Sequence, residues 1–164
     1  MKIINKENLK KYALNYLGKY ASSKKNLEII LHRRIIKNTK YTNINIDRCK
    51  LYIQEIIDEL EQSDILNDAV FANSKAFHYI RMGKSKKMIE LNLLKKGINK
   101  IIIQKTLEKL ENDIPNLEYE SANNFAKKRK LGRFGCNKEM KKDLEKMGRA
   151  GFNYNMSLKV LGYK

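Results

Sequence analysis

Arg81, Lys84, Lys86 and Lys87 gather around a glycine turn, and Lys127, Lys128, Arg129, Lys130 and Arg133 form the densest basic run of the chain. Ammonium and guanidinium groups at this density attract the phosphates or carboxylates of a partner. The first set surrounds the start of a helix, where the helix dipole disfavours cations. Stability alone therefore does not account for it: an anionic partner would, and a solvated patch is the plainer alternative. The second set ends a helix, where the dipole favours positive charge. That run, together with Arg149, is the better candidate for contacting phosphates. Phe134, beside Gly132 and Gly135, is either an exposed contact or an anchor into the core.

Catalytic chemistry finds no comparable set of residues. Gly83-Lys84-Ser85 is similar to the end of a phosphate-binding P-loop, but His78 stands where that motif needs its first glycine, and helical rather than strand periodicity precedes it. A helix break followed by a Ser85 N-cap is the better account. Cys49 and Cys136 have neither metal spacing nor a pairing pattern, and are expected to be reduced thiols; His32 and His78 are isolated. Glu118 and Glu120 would diverge on a helix, and Asp58, Glu59 and Glu61 read as a solvated helix face. No enzymatic activity, cofactor or metal is expected.

The 164 residues suit one compact domain or several small helical units. With 42% hydrophobic and 32% charged residues the chain is expected to fold, and its apolar runs are far shorter than the roughly 20 residues of a membrane helix. The amino terminus, Met1 to Glu7, lacks an apolar signal core, so a cytoplasmic location is expected, with no membrane contact. The net charge of +17 points to nucleic acid or an acidic protein surface; the competing reading is that joint enrichment in Lys, Ile, Asn and Tyr reflects biased codon composition rather than selection for charge.

These basic residues must be held by helices. Apolar residues recur with helical spacing almost throughout, and Pro115 is the one proline. Leu9, Tyr12, Ala13, Tyr16 and Leu17 stripe a first helix that weakens at Gly18. Ser22 or Ser23 caps a second, carrying Leu27, Ile30, Leu31, Arg34 and Ile35. After a loop over 37–43, Asp47 caps a third, with Leu51, Ile53, Ile56, Ile57 and Leu60 inward. The pattern restarts with a helix over 68–81, a second capped by Ser85 and stopped by Gly97, and a third over 98–111. It restarts again with helices over 117–130 and 138–147, and a last one begun by Asn153. Tyr12, Tyr16, Tyr52, Phe71, Phe77 and Phe125 are expected in the core. Ser23, Leu27 and Leu31 match Ser85, Ile89 and Leu93 in spacing, and Lys95-Lys96-Gly97-Ile98 matches Arg149-Ala150-Gly151-Phe152. The expectation is an all-α chain of three tandem three-helix repeats, 1–64, 65–114 and 115–164, stacked into an elongated, curved molecule.

Leu66-Asn67-Asp68-Ala69-Val70-Phe71-Ala72, then Arg81-Met82-Gly83-Lys84-Ser85, then Ile89, Leu93 and Lys95-Lys96-Gly97-Ile98, together resemble the signature of the RecX family. Arg149-Ala150-Gly151-Phe152-Asn153-Tyr154 is similar to the element before that family's last helix, and Leu31-His32-Arg33-Arg34 fits more loosely. Asn67 stands where the family more often has Asp, Asn26 where an acidic residue is common, and the first unit lacks the Lys-Gly stop.

The resemblance implies a non-enzymatic, monomeric modulator that lies in the groove of the RecA–DNA filament and suppresses ATP hydrolysis, strand exchange and coprotease activity. Single- and double-stranded DNA would be further partners of the basic patches. The alternative from charge alone is a helix-turn-helix protein acting on DNA directly.

Overall fold

The computed structural model describes residues 5–39, 45–136 and 139–163. Met1–Ile4, loop residues 40–43 and Lys138, which enter the readings of the amino terminus, the 37–43 loop and the 138–147 helix, lie outside them. Among the described residues there are nine α-helices, one 3-10 turn and no strand: the chain is all-α. Contacts divide it into two compact units, Met1–Phe71 with Lys96–Ile98, and Ala72–Lys95 with Asn99–Lys164.

Unit one packs α1 (Lys6–Leu17), α2 (Lys24–Thr39) and α3 (Ile46–Gln62) against one another. Leu9, Ala13, Leu27, Leu31, Ile53 and Ile56 are among the residues that close its core. Lys6 and Lys10 of α1 reach Glu59 of α3 at 2.8 and 2.5 Å, and Lys24 of α2 reaches Glu61 at 2.7 Å. The two ammonium groups hold the Glu59 carboxyl down at about 2.

Several details depart from the sequence reading. Helix α2 continues to Thr39, with the Asn38 amide donating to the Arg34 carbonyl at 2.7 Å, instead of giving way to a loop at 37. Asn45, not Asp47, caps α3, its side chain accepting from the Arg48 N–H at 3.0 Å. With Ile53, Ile56 and Leu60 facing inward, about 100° of turn per residue puts Cys49 on the same buried face and Leu51 opposite it, 64% exposed. Phe77 is likewise 49% exposed, because Ala72, Ala76 and Ile80 define the buried face of α4 (Asp68–Arg81).

Unit two contains the rest of α4 after Phe71, then α5 (Lys86–Lys95), α6 (Lys100–Asp113), α7 (Leu117–Arg129), α8 (Met140–Arg149) and α9 (Tyr154–Leu161). Helix α6 packs on α5, and α9 packs on both α7 and α8. Ala122, Ala126, Leu131, Met147, Phe152 and Val160 form a core there, with Phe134 packed against it as an anchor of the 3-10 turn. Buried Asp143 accepts from the Gly132 N–H at 2.8 Å and the Tyr163 hydroxyl at 2.9 Å, so a carboxylate occupies a position in α8 that hydrophobic patterning passes over.

One constellation occurs twice. In unit one, Ser23 caps α2 by accepting from the Asn26 N–H at 3.2 Å, and its hydroxyl donates to the Lys96 carbonyl at 2.6 Å. The Lys24 N–H donates to Asp68 Oδ1 at 2.8 Å. In unit two, Ser85 caps α5 by accepting from the Met88 N–H at 3.3 Å and donates to the Ala150 carbonyl at 2.8 Å, while the Lys86 N–H donates to Glu118 Oε2 at 3.0 Å. A glycine at positive φ follows each accepting carbonyl, Gly97 at +76° and Gly151 at +89°. A Cβ on Gly151 would lie 2.4 Å from Ser85 Oγ, and one on Gly97 would lie 2.4 Å from Lys25 Cβ, so only glycine allows the approach.

Ser23→Ala and Ser85→Ala each remove a cap and strand a carbonyl, and should each lower the unfolding free energy by about 1–3 kcal/mol in urea titrations. Leu93→Asp, at a fully buried site, should abolish the cooperative transition and most of the helical circular dichroism; retained melting behaviour would show the α5 core face to be misassigned.

Candidate functional site

The turn Met82-Gly83-Lys84 and the start of α5 form one wall of a groove in unit two. Gly83 has φ +76°, and a Cβ there would lie 2.5 Å from the Phe125 backbone nitrogen, so glycine lets the turn seat directly on α7. Ser121 of α7 donates its hydroxyl to the Lys84 carbonyl at 2.6 Å, which ties the same two elements together. Helix α7 forms the second wall with Phe125, Lys128 and Arg129, and the last turn of α8 the third with Lys146, Arg149 and Ala150. The Ser85 bond to the Ala150 carbonyl fixes that third wall against the first.

The result is a cavity of about 600 Å³ over Met82, Met88 and Phe125, adjoining one of about 490 Å³ that shares Phe125, Arg129 and Ala150. Its floor is apolar and its rim cationic. Lys84, Lys128 and Arg129 form no ion pair among the described residues. Lys84 Nζ lies 4.9 Å from the centre of the Tyr79 ring, Arg129 lies 6.0 Å from that of Phe125, and Lys128 Nζ is 3.4 Å from Met82 Sδ, a weak acceptor. Lys146 and Arg149 have loose partners on their own helix, Asp143 at 3.8 Å and Glu145 at 3.6 Å.

The residues expected from sequence thus separate. Lys84, Lys128, Arg129 and Arg149 converge on the groove. Arg81 and Lys87 are exposed and do not line it. Lys86 pairs with Glu111 at 2.5 Å, which raises its pKa, while its own N–H is taken by Glu118. Lys127 and Arg133 lie 5.9 and 4.8 Å from the Phe134 ring centre, and Arg133 also donates to Asn123 at 3.0 Å. Lys130 is the left-handed C-cap of α7. Consecutive residues on a helix turn through about 100°, so the basic run cannot present a single face. Sequence reasoning passed over Lys146 and the floor residues Met82 and Met88; the signal for Lys146 was its i, i+3, i+4 spacing to Arg149 and Ala150.

At the start of α5, Glu118 and Ser85 already accept from two of the N–H groups an anion would use, those of Lys86 and Met88. Half-burial pushes the Glu118 carboxyl above its usual range, opposed by the bond from the Lys86 N–H and the Lys86 charge. Among the described residues no cluster of three or more His, Cys, Asp or Glu side chains could hold a metal, and no helix is long and apolar enough to cross a membrane.

No family model matches the chain. It is 28% identical over 158 residues to the regulatory protein RecX of Myxococcus xanthus (strain DK1622), covering 93% of this chain and 83% of that one. It is 30% identical over 112 residues to the regulatory protein RecX of Clostridioides difficile (strain 630), covering 66% of this chain and 51% of that one. The crystal structure of RecX from Lactobacillus salivarius superposes with a TM-score of 0.69 at 28% identity, over 96% of this chain and 94% of that one. A second crystal structure, of a regulatory protein RecX, shares the fold with a TM-score of 0.66 at 17% identity, over 96% of this chain and 71% of that one.

Because the folded-state pKa of Glu118 is raised, its desolvation does not burden the fold below the ordinary carboxylate range. The burden grows as pH rises through the raised value. Glu118→Gln keeps an acceptor for the Lys86 N–H without a charge to desolvate. Its stability relative to the parent should therefore improve as pH rises through that window. A difference that stays constant across a urea-denaturation pH series would contradict this.

Proposed function

Since the chain belongs to the RecX family, we propose that it docks on a RecA recombinase filament and restrains it. It slows ATP hydrolysis, strand exchange and coprotease action during DNA repair and the SOS response, acting in the cytoplasm as a monomer, by binding and not by catalysis. The observation that carries this reading is the match to a regulatory RecX protein across 93% of this chain and 83% of the relative. The unit-two groove supplies the contact surface: three cations without a carboxylate partner among the described residues, and two with weak ones, line its two adjoining cavities, which favours an anionic face of the nucleoprotein filament. Three three-helix repeats, 1–64, 65–114 and 115–164, are the architecture proposed for this task. The twofold occurrence of the Ser, acid and Gly constellation supports that repetition.

Added at substoichiometric amounts, the protein should inhibit the single-strand-DNA-dependent ATPase of RecA more than an unrelated protein of similar charge does. Equal inhibition by both would mean competition for DNA through net charge, the alternative reading. Reversing Lys128 and Arg129 to Glu should weaken inhibition more than reversing Lys127 and Lys130, most visibly at low salt. Both double variants change the net charge equally, so equal effects would remove the groove from the contact.

A further inference from the structure

The groove joins two features that select among anions. A nucleic-acid backbone needs cations along a track and open aromatic faces for its bases. Here the cations surround an apolar floor rather than a track, and its lining offers a single aromatic ring, Phe125, with Phe152 tilted by 53° at 5.8 Å and the Arg129 guanidinium 6.0 Å from its centre. For a small free anion the start of α5 is already partly used, since Glu118 accepts from the Lys86 N–H and Ser85 from the Met88 N–H.

The floor suits a bulky apolar side chain. Met82 and Met88 are unbranched thioethers that can repack around different shapes, and a cavity of about 600 Å³ has room for one such group with its flanking chain. Around it, the only contact of the Lys128 ammonium among the described residues is a weak sulfur acceptor, leaving donors for a carboxylate. Arg129 and Arg149 offer guanidinium forks that match carboxylate geometry.

We propose that this groove binds an acidic peptide segment of the protein partner. One bulky aliphatic or aromatic side chain of the segment inserts over Met82, Met88 and Phe125, and its neighbouring Asp and Glu residues engage Lys84, Lys128 and Arg129. Charge complementarity selects the segment, and the apolar insertion sets its register. This deepens the filament-regulator reading and rests on it for the source of the segment.

The test uses the full chain and fluorescence anisotropy with three labelled probes: a short Asp/Glu peptide carrying one central Leu, the same peptide with Ala in its place, and an oligothymidylate of equal charge. The Leu peptide should bind about tenfold more tightly than the Ala peptide, as expected for burying a leucine side chain. Met82→Gln, at a half-exposed position that should tolerate it, should narrow that difference without changing oligothymidylate binding. Reversing Lys128 and Arg129 to Glu should weaken both peptides. Equal affinity for the Leu and Ala peptides overturns the proposal, as does loss of oligothymidylate binding in Met82→Gln, which would make nucleic acid the occupant. RecA inhibition without a Leu preference sinks the peptide site alone, whereas a Leu preference without RecA inhibition supports the groove chemistry and removes the filament as its source.

Discussion

A single hydroxyl that both accepts and donates underlies the geometry of each unit. Ser85 accepts from the Met88 N–H of its own helix and donates to the Ala150 carbonyl at the end of another, fully buried while doing so. A hydroxyl serves both roles through one oxygen atom, which an ionised carboxylate, an acceptor only, cannot. The approach is close enough that Gly151 must lack a Cβ. With Glu118 accepting from the next N–H, the start of α5, the start of α7 and the end of α8 are fixed together. The groove is the space those three elements leave between them, and its cations owe their convergence to this arrangement more than to their number.

The basic excess is also unevenly partnered. In unit one, Lys6, Lys10 and Lys24 are held by Glu59 and Glu61, so those charges brace helices against one another. In unit two, Lys84, Lys128 and Arg129 rest on aromatic rings or a thioether. Cation–π and sulfur contacts hold a side chain in place while leaving most of its hydrogen-bonding capacity unused. Net charge is thus a poor guide to the surface that meets a partner, and local pairing a better one.

Helix positions were largely legible because periodicity and caps agree. Ser23, Ser85 and Asn153 begin helices as their side chains predict, and Gly97 ends one at positive φ. The short match between the segments around Gly97 and Gly151 also has a physical counterpart, since each glycine follows a carbonyl that accepts from a buried serine. Two readings in α3 failed: Asn45 rather than Asp47 caps it, and Leu51 lies opposite Ile53, Ile56 and Leu60 on the helix and so faces outward. The candidate site was only half legible. A run of five cations shows in one dimension, but its division between the groove and Phe134 depends on helix phase and on which elements pack around it. Met82 and Met88 carried no chemical signal of their own, because a methionine becomes a binding floor only once cations surround it.

The two serine–carbonyl bonds span 73 and 65 residues of chain. Contacts of such separation carry a loop-closure entropy and form late relative to helix formation. On a ribosome adding about 5–20 residues per second, several seconds separate the appearance of Ser85 from that of Ala150. Over that interval α5 is capped first by its own serine and then also by Glu118, and the groove's third wall does not yet exist. Each serine therefore acts as a checkpoint in folding order: its hydroxyl gains its second bond only after a later stretch of the chain has been made and has turned back to meet it.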